Sequence, residues 1–298
     1  MPELPDVEVY VACLERRVVG QELTRIRVLR PFVLRSVTPS LDAAEGTTVR
    51  AVRRLGKRIV LALAGGLFLV IHLMIAGRLR WRDRGAPVPR KLGLAAFDFP
   101  TGTLLLTEAG SIKRASLHLV EGEAALGAHD RGGIDVLAAD RAAFAEALTR
   151  ENHTVKRSLT DPRLFSGIGN AYSDEILHAA RLSPLKLTSR MTDDEIARLH
   201  EATQATLRAW VERLRREAGD RFPEKVTAFH PAMAVHGRYR KPCPACGSPV
   251  QRIVYASNES NYCAACQTGG RLLADRSLSR LLGRDWPRTL EELEDRRG

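Results

Sequence analysis

The chain has 298 residues, 44% hydrophobic and 27% charged, which supplies apolar mass for two or three packed domains and excludes disordered, collagen-like and low-complexity chains. Lys and Arg number 46 against 35 Asp and Glu, a formal net charge of +11 that suits an anionic partner, most often nucleic acid, and equally a solvated basic surface, so charge alone does not decide between them. The longest apolar runs, 59–64 and 65–71, are broken by Gly65-Gly66 and closed by His72, too short to span a membrane, and the acidic, proline-rich start is neither a signal nor a transit peptide, so the expected location is the cytoplasm.

Residues 4–19 place Val7, Val11, Leu14 and Val18 at helical spacing, with Arg16 and Arg17 on the opposite face. Strand-like runs follow at 23–29, 49–55, 58–64, 67–73, 79–82, 92–99 and 103–107, and Gly65-Gly66 between two apolar runs predicts a hairpin. One helix followed by many short strands predicts an N-terminal β-sandwich with a flanking helix over residues 1–130. Past Gly132-Gly133 the period changes. Residues 138–148, 174–180 and 192–216 read as helices, the last opened by a Thr192/Glu195 capping box, and the proline-bearing stretch 219–236 reads as a loop or linker. The fold class is therefore α+β, with a helical domain at 131–236, a cysteine module at 237–270 and a basic amphipathic tail at 271–298 carrying Leu272, Leu273, Leu278, Leu281 and Leu282.

Four of the five cysteines, Cys243, Cys246, Cys263 and Cys266, form a C-x2-C-x16-C-x2-C pattern. Two such knuckles can set four thiolates tetrahedrally around one Zn²⁺, and the alternation over 251–256 places a β-hairpin between them. The alternative, two disulfides, conflicts with a cytoplasmic chain. Four protein ligands close the coordination shell, so the metal would be structural. Cys13 reads as a core residue. Arg238, Arg240, Lys241, Arg252 and Arg271 around the module tilt it towards nucleic acid.

The N-terminus Met1-Pro2-Glu3-Leu4-Pro5-Asp6-Val7-Glu8 resembles the signature of the formamidopyrimidine-DNA glycosylase / endonuclease VIII family. Gly167-Ile168-Gly169-Asn170-Ala171-Tyr172-Ser173-Asp174-Glu175 looks like that family's helix–two-turn–helix, and the cysteine module like its C-terminal zinc finger. Three motifs in order cover residues 2 to about 267. The resemblance implies a bifunctional DNA glycosylase and abasic-site lyase of base excision repair: a nucleoid-associated monomer that binds damaged double-stranded DNA and carries one structural zinc ion.

The chemistry fits the unusual start. Initiator Met is normally removed before Pro, which would expose a secondary amine at Pro2. An α-amino group titrates near about 7.7–8.0, so an appreciable fraction is neutral and nucleophilic at neutral pH, whereas lysine would need a large shift. The resemblance assigns attack on sugar C1′ to Pro2, proton transfer to Glu3, and a phosphate beside the lesion to Lys57. It places further DNA contacts at His72, Ile75, Lys156, Asn170 and Asn258. Without the resemblance, Pro2-Glu3 reads first as a helix cap, and Asn170 as a plain N-cap, a role compatible with a phosphate contact.

Departures from the family pattern lie at contact positions. The family's His-Leu-Gly-Met-Ser-Gly wedge is here His72-Leu73-Met74-Ile75-Ala76-Gly77, so Ile75 takes the methionine's slot and Met74 replaces a glycine. The Arg-x-Phe pair of a second strand-filling loop is missing from residues 107–114, and Asn258 stands where the zinc hairpin usually carries arginine. The stretch 219–236 is short for the loop that covers a flipped 8-oxoguanine. A non-catalytic DNA clamp and a lyase for abasic, crosslinked or single-stranded DNA are the competing expectations.

Overall fold

The computed structural model describes residues 1–224, 229–255, 258–274, 283 and 287–295. The chain divides into two units, residues 1–132 with 209–227 and residues 133–208 with 228–298. No described helix is long and apolar enough to cross a membrane.

The first unit opens with helix α1 (Leu4–Val18), which has Glu3 at its N-cap, Pro5 in its first turn and Arg16 and Arg17 in its last, where cations suit the helix dipole. Its Val7, Tyr10, Leu14 and Val18 stripe is buried, as the spacing predicts. The nine strands are β1 (Glu22–Leu23), β2 (Arg25–Val28), β3 (Thr47–Leu55), β4 (Arg58–Leu63), β5 (Leu67–His72), β6 (Gly77–Arg82), β7 (Gly93–Phe99), β8 (Gly102–Glu108) and β9 (Ser116–Glu121). They form two antiparallel sheets, ordered β1-β3-β4-β5-β9 and β2-β7-β8-β6.

Between the sheets, Ile59, Leu61, Leu69 and Ile71 of one meet Leu79, Phe97, Leu104 and Leu106 of the other, joined by the apolar stripe of α1. Residues Val60, Ala62, Phe68 and Val70 face the other way and are covered with Leu126 of helix α2 (Glu123–Gly127). Burial on both faces explains why β4 and β5 read as continuous apolar runs rather than alternating ones. Gly65 and Gly66, at φ 77° and 74°, make the β4–β5 turn in a conformation open chiefly to glycine.

Two features of this unit differ from the sequence expectation. Strand β9 was not foreseen, yet it completes the larger sheet by pairing with β5 from Leu67↔Glu121 to His72↔Ser116. The stretch after residue 219 is anchored rather than a free linker over its first residues. Phe222 packs 5.7 Å from Tyr10 and 6.4 Å from Trp81, and Glu224 pairs with Arg82.

The second unit holds α3 (Arg141–Thr149), capped by Asp140 accepting from the Ala143 N–H at 2.8 Å, and α4 (Val155–Thr160). Helix α5 (Asn170–Ala179) starts four residues earlier than the apolar spacing suggested. The long α6 (Asp193–Ala218), of which residues 193–208 belong to this unit and 209–218 to the first, begins with the expected capping box: Glu195 accepts from Thr192 N–H at 2.9 Å and Thr192 from Glu195 N–H at 3.3 Å. Strands β10 (Val250–Tyr255) and β11 (Asn258–Cys263) pair in register from Val250↔Cys263 to Tyr255↔Asn258, and α7 (Ala264–Thr268) follows.

The tail doubles back on this hairpin. Leu272 and Leu273 bury against Ile253 and Tyr262, together with Leu290 and Leu293 of α8 (Leu290–Asp295). Leu272 N–H donates to Arg288 C=O and Leu273 N–H to the Tyr262 hydroxyl, both at 2.8 Å. Leu278, Leu281 and Leu282, expected on one amphipathic helix, lie outside the described residues.

Candidate active site and nucleic-acid interface

The first unit gathers ionisable groups around the chain start. Pro2, Glu3 and Asp6 are buried, and Asp6 Oδ2 accepts the Glu3 N–H at 2.9 Å, so the capping box of α1 fixes the two acids beside each other. Burial pushes the Asp6 carboxyl up to about 7. The terminal amine, carried here by Met1, is pushed below its ordinary value by burial; Glu3 opposes that shift and Arg78 adds to it. Lys57 stands in the β3–β4 turn behind Gly56, whose φ is 61°. Burial lowers its pKa while Glu3 and Asp6 pull it back up. Pro2, Glu3 and Lys57 thus share one electrostatic cluster, joined by Asp6 and Arg78. Arg78, which sequence reasoning missed, is turned back on its own strand, donating to Gly77 C=O at 2.7 Å and Ile75 C=O at 3.3 Å.

The β5–β6 turn projects one apolar side chain. His72 closes β5, and burial, aided by Arg58 and Lys57, lowers its pKa to about 4, so at neutral pH it offers hydrogen bonds without charge. Leu73 is buried, Met74 takes a left-handed φ of 51°, and Ile75 is 58% exposed. The turn closes tightly because Gly77 N–H meets Leu73 C=O at 2.9 Å and any Cβ at Gly77 would lie 2.2 Å from that oxygen.

A second exposed isoleucine stands on the neighbouring loop. Ile112 is 69% exposed, between residues tied down by the buried Glu108, whose carboxylate accepts from the N–H groups of Arg114 and Ala115 at 2.9–3.1 Å. A Cβ at Gly110 would lie 3.5 Å from Ala76 Cβ, so this loop and the wedge turn are in contact. Ile112 was missed because a single apolar residue in a loop carries no periodic signal. It was legible only as an isolated hydrophobe between Ser111 and Lys113.

In the second unit Asp174 of α5 is fully buried and accepts from four donors. These are Lys156 Nζ at 2.5 Å, His236 Nδ1 at 2.8 Å, Asn261 N–H at 3.0 Å and Ser260 Oγ at 3.1 Å. Lys156, expected at a phosphate, commits its ammonium to Asp174, Ser173 Oγ and Asn170 C=O. Asn170 opens α5 and donates from Nδ2 to Glu259 C=O of β11 at 2.8 Å. Glu175 accepts the N–H groups of Ala234, Val235 and His236 at 2.7, 2.9 and 2.9 Å. Consecutive acids on one helix therefore fix the zinc hairpin and the segment leading into it. The side chain of Asn258 lies outside the described residues.

The four cysteine sulfurs all lie within 4.8 Å of one another, with Cys246–Cys263 at 3.4 Å and Cys243–Cys266 at 4.0 Å. Zn–S bonds of about 2.3 Å put tetrahedral S···S edges near about 3.8 Å, whereas a disulfide needs about 2.05 Å. The donor set fits one Zn²⁺ with a closed shell. His178 of α5 places Nε2 3.2 Å from Cys243 Sγ, an outer hydrogen bond of the kind that orients a metal ligand.

Comparison with known proteins accounts for these parts in order. Residues 1–109 match the formamidopyrimidine-DNA glycosylase N-terminal domain, residues 134–219 the formamidopyrimidine-DNA glycosylase H2TH domain, and residues 240–269 the zinc finger found in FPG and IleRS. The formamidopyrimidine-DNA glycosylase of Desulforamulus reducens is 31% identical over 281 residues, covering 90% of this chain and 99% of that protein. That of Thermus thermophilus is 33% identical over 285 residues, covering 91% and 100%. Among solved structures, a mutant Lactococcus lactis FPG complexed with Fapy-dG-containing DNA superposes with a TM-score of 0.78 at 25% identity, covering 90% of this chain and all of that one. Both relatives are formamidopyrimidine-DNA glycosylases matched over nearly their full length. The chain belongs to the formamidopyrimidine-DNA glycosylase family and is a DNA glycosylase of DNA repair, with a structural zinc finger.

Proposed function

We propose that the chain is a bifunctional glycosylase and abasic-site lyase acting through the Pro2 amine once Met1 is removed. The carrying observation is the cluster at the chain start: Pro2 and Glu3 buried together, with Lys57 and Arg78 interacting electrostatically with the terminus. Burial and neighbouring cations favour the neutral amine, the form that attacks.

In the proposed reaction the Pro2 nitrogen attacks deoxyribose C1′ and the damaged base leaves with its bonding electrons, taking up a proton. Glu3 protonates the ring oxygen as the sugar opens to a cationic iminium. The iminium draws electrons from C2′, whose proton departs, and the 3′ phosphate leaves by β-elimination. A second elimination expels the 5′ phosphate. Lys57, neutral His72 and the amides at the start of α5 hold the DNA backbone, and Ile75 with Ile112 fills the space left by the extruded nucleotide. Lys156 acts by positioning Asp174 and Asn170. The domains in this reading are residues 1–130, 131–236, 237–270 and 271–298, and the enzyme works as a cytoplasmic, nucleoid-associated monomer.

The test is borohydride trapping on an abasic-site duplex, after mass spectrometry of the protein verifies loss of Met1. A covalent adduct mapping to Pro2, and absent when the N-terminal amine is blocked by acetylation, is expected. Tight duplex binding without an adduct, from protein with a free Pro2, would overturn the mechanism in favour of a non-catalytic clamp. A lyase confined to abasic, crosslinked or single-stranded DNA is the second reading, motivated by Asn258 and the missing Arg-x-Phe pair. A panel of damaged oligonucleotides separates the two.

A further inference from the structure

We propose that Tyr239, Arg240 and Arg252 form a DNA phosphodiester clamp on the zinc module, a contact beyond the motif residues considered above; it rests on the DNA-binding reading of the preceding section. The Arg252 guanidinium lies over the Tyr239 ring with Cζ 4.3 Å from the centroid, and the Arg240 guanidinium lies 5.2 Å from the same centroid. One ring thus carries two guanidinium groups, each stiffened by cation–π contact while its N–H fork remains at the surface. Arg240 and Arg252 are both exposed, as is the adjacent Lys241.

The backbone beneath the clamp is fixed. Arg240 takes a left-handed φ of 67°, unusual for a residue with a Cβ. Its N–H donates to Val250 C=O at 2.9 Å, and Val250 N–H donates back to Lys241 C=O at 3.0 Å, which ties the segment to β10, the strand that carries Arg252. Packed side chains and paired backbone therefore set the spacing of the two cations, which suits a rigid, doubly recognised anion.

A carboxylate already marks the anion position. Arg252 Nη1 donates to Glu259 Oε2 at 3.2 Å, with the two side chains 44% and 29% exposed. Such a half-exposed pair contributes little to stability and is readily exchanged for a phosphate, which accepts the same fork. The position is also continuous with the helix start assigned to DNA, because Glu259 C=O accepts the Asn170 side-chain amide. A DNA strand passing the start of α5 meets Arg252 next. The cation missing at Asn258 is thereby supplied from β10, by residues whose stacking on Tyr239 the sequence did not reveal.

The test is fluorescence anisotropy with a labelled duplex carrying a tetrahydrofuran abasic analogue, titrated from about 50 to 200 mM salt. The proteins are the zinc-loaded full chain and its Arg252→Gln, Tyr239→Leu and Glu259→Gln variants, with zinc content and melting temperature checked for each. Losing one phosphate contact lowers the slope of log affinity on log salt by about 0.9, so the Arg252→Gln deficit should shrink about 3.5-fold across that range. Tyr239→Leu, which keeps both charges, should weaken binding with a smaller change in slope. Glu259→Gln should tighten binding by freeing Arg252. Wild-type affinity and slope in Arg252→Gln would overturn the clamp, as would weakening by Glu259→Gln equal to that by Arg252→Gln, the pattern of a hairpin brace. A wild-type chain that binds no duplex would instead overturn the reading on which the clamp rests.

Discussion

Replacing Asp174 by alanine tests whether the helix–two-turn–helix and the zinc hairpin hold together through one buried carboxylate. The change removes the acceptor for Lys156, whose side chain is only 14% exposed, and for Ser260 Oγ, Asn261 N–H and His236 Nδ1, all at buried residues. Breaking a buried pair by deleting one partner costs about 3–5 kcal/mol. The three further donors would each add about 1–3 kcal/mol if left dry, but water entering the vacated carboxylate space offsets much of that, so the net cost is about 4 kcal/mol. For a unit of roughly 150 residues this lowers the melting temperature by about 8–16 °C. Differential scanning calorimetry of the zinc-loaded full chain should resolve the shift, and a chromogenic chelator should detect faster zinc loss. The ion pair itself is isolated by Asp174→Asn with and without Lys156→Met. Asparagine keeps one acceptor but strands the ammonium, and removing that ammonium should recover much of the loss. Melting of Asp174→Ala within about 2 °C of the wild type, with zinc retained, would refute the reasoning. So would strictly additive effects in the Asn and Met variants.

Three further outcomes are expected. Cys263→Ser, at a fully buried ligand, should abolish zinc retention through gel filtration and loosen the hairpin, measured by metal content and proteolysis; stoichiometric zinc in this variant would refute the four-thiolate site. Ile75→Ala, at a side chain 58% exposed, should leave stability within about 0.5 kcal/mol while weakening abasic-duplex binding about tenfold, part of the ceiling set by burying three methyl or methylene groups at about 0.8 kcal/mol each; unchanged affinity would remove it from the wedge. Asp6 titrates at about 7 in the fold against about 3.9 unfolded, so the folded state holds the extra proton and stability falls as pH rises through that window. Asp6→Asn, which retains an acceptor for Glu3 N–H, should therefore gain in melting temperature over the wild type as pH is raised from about 4 to 7, and a growing deficit instead would show that the carboxylate is not penalised.

How far each part was legible follows from the range of the forces involved. The α1 stripe, the β4–β5 hairpin and the cysteine knuckles are local patterns, and each lies where its spacing placed it. Strand β9 went unread although Ser116, Leu117, His118 and Leu119 alternate polar and apolar and both leucines are fully buried in the core, because the alternation spans only four residues before Val120 and Glu121. Helix α4 escaped because six residues give too little period to read. Asp174 and Glu175 sit inside a motif that was read for phosphate binding, but their partners are 18 to 87 residues away in the chain, so no local pattern could reveal that these acids are structural brackets.

The departures from the family pattern also divide by burial. Met74 stands at φ 51°, the conformation that suits the pattern's glycine, and an L-residue there costs on the order of 1 kcal/mol. The turn keeps its shape because Leu73 remains buried and Gly77 still permits the close approach to the Leu73 carbonyl. The zinc hairpin behaves similarly. Asn261, Ser260 and the cysteines that seat it are buried or closely paired, and position 258 opens β11 opposite Tyr255. Losing a buried partner orphans a donor or a charge and destabilises the whole unit. Met74, part-buried, and Ile75, 58% exposed, differ from the pattern without disturbing the buried partners beneath them, Leu73 and Gly77.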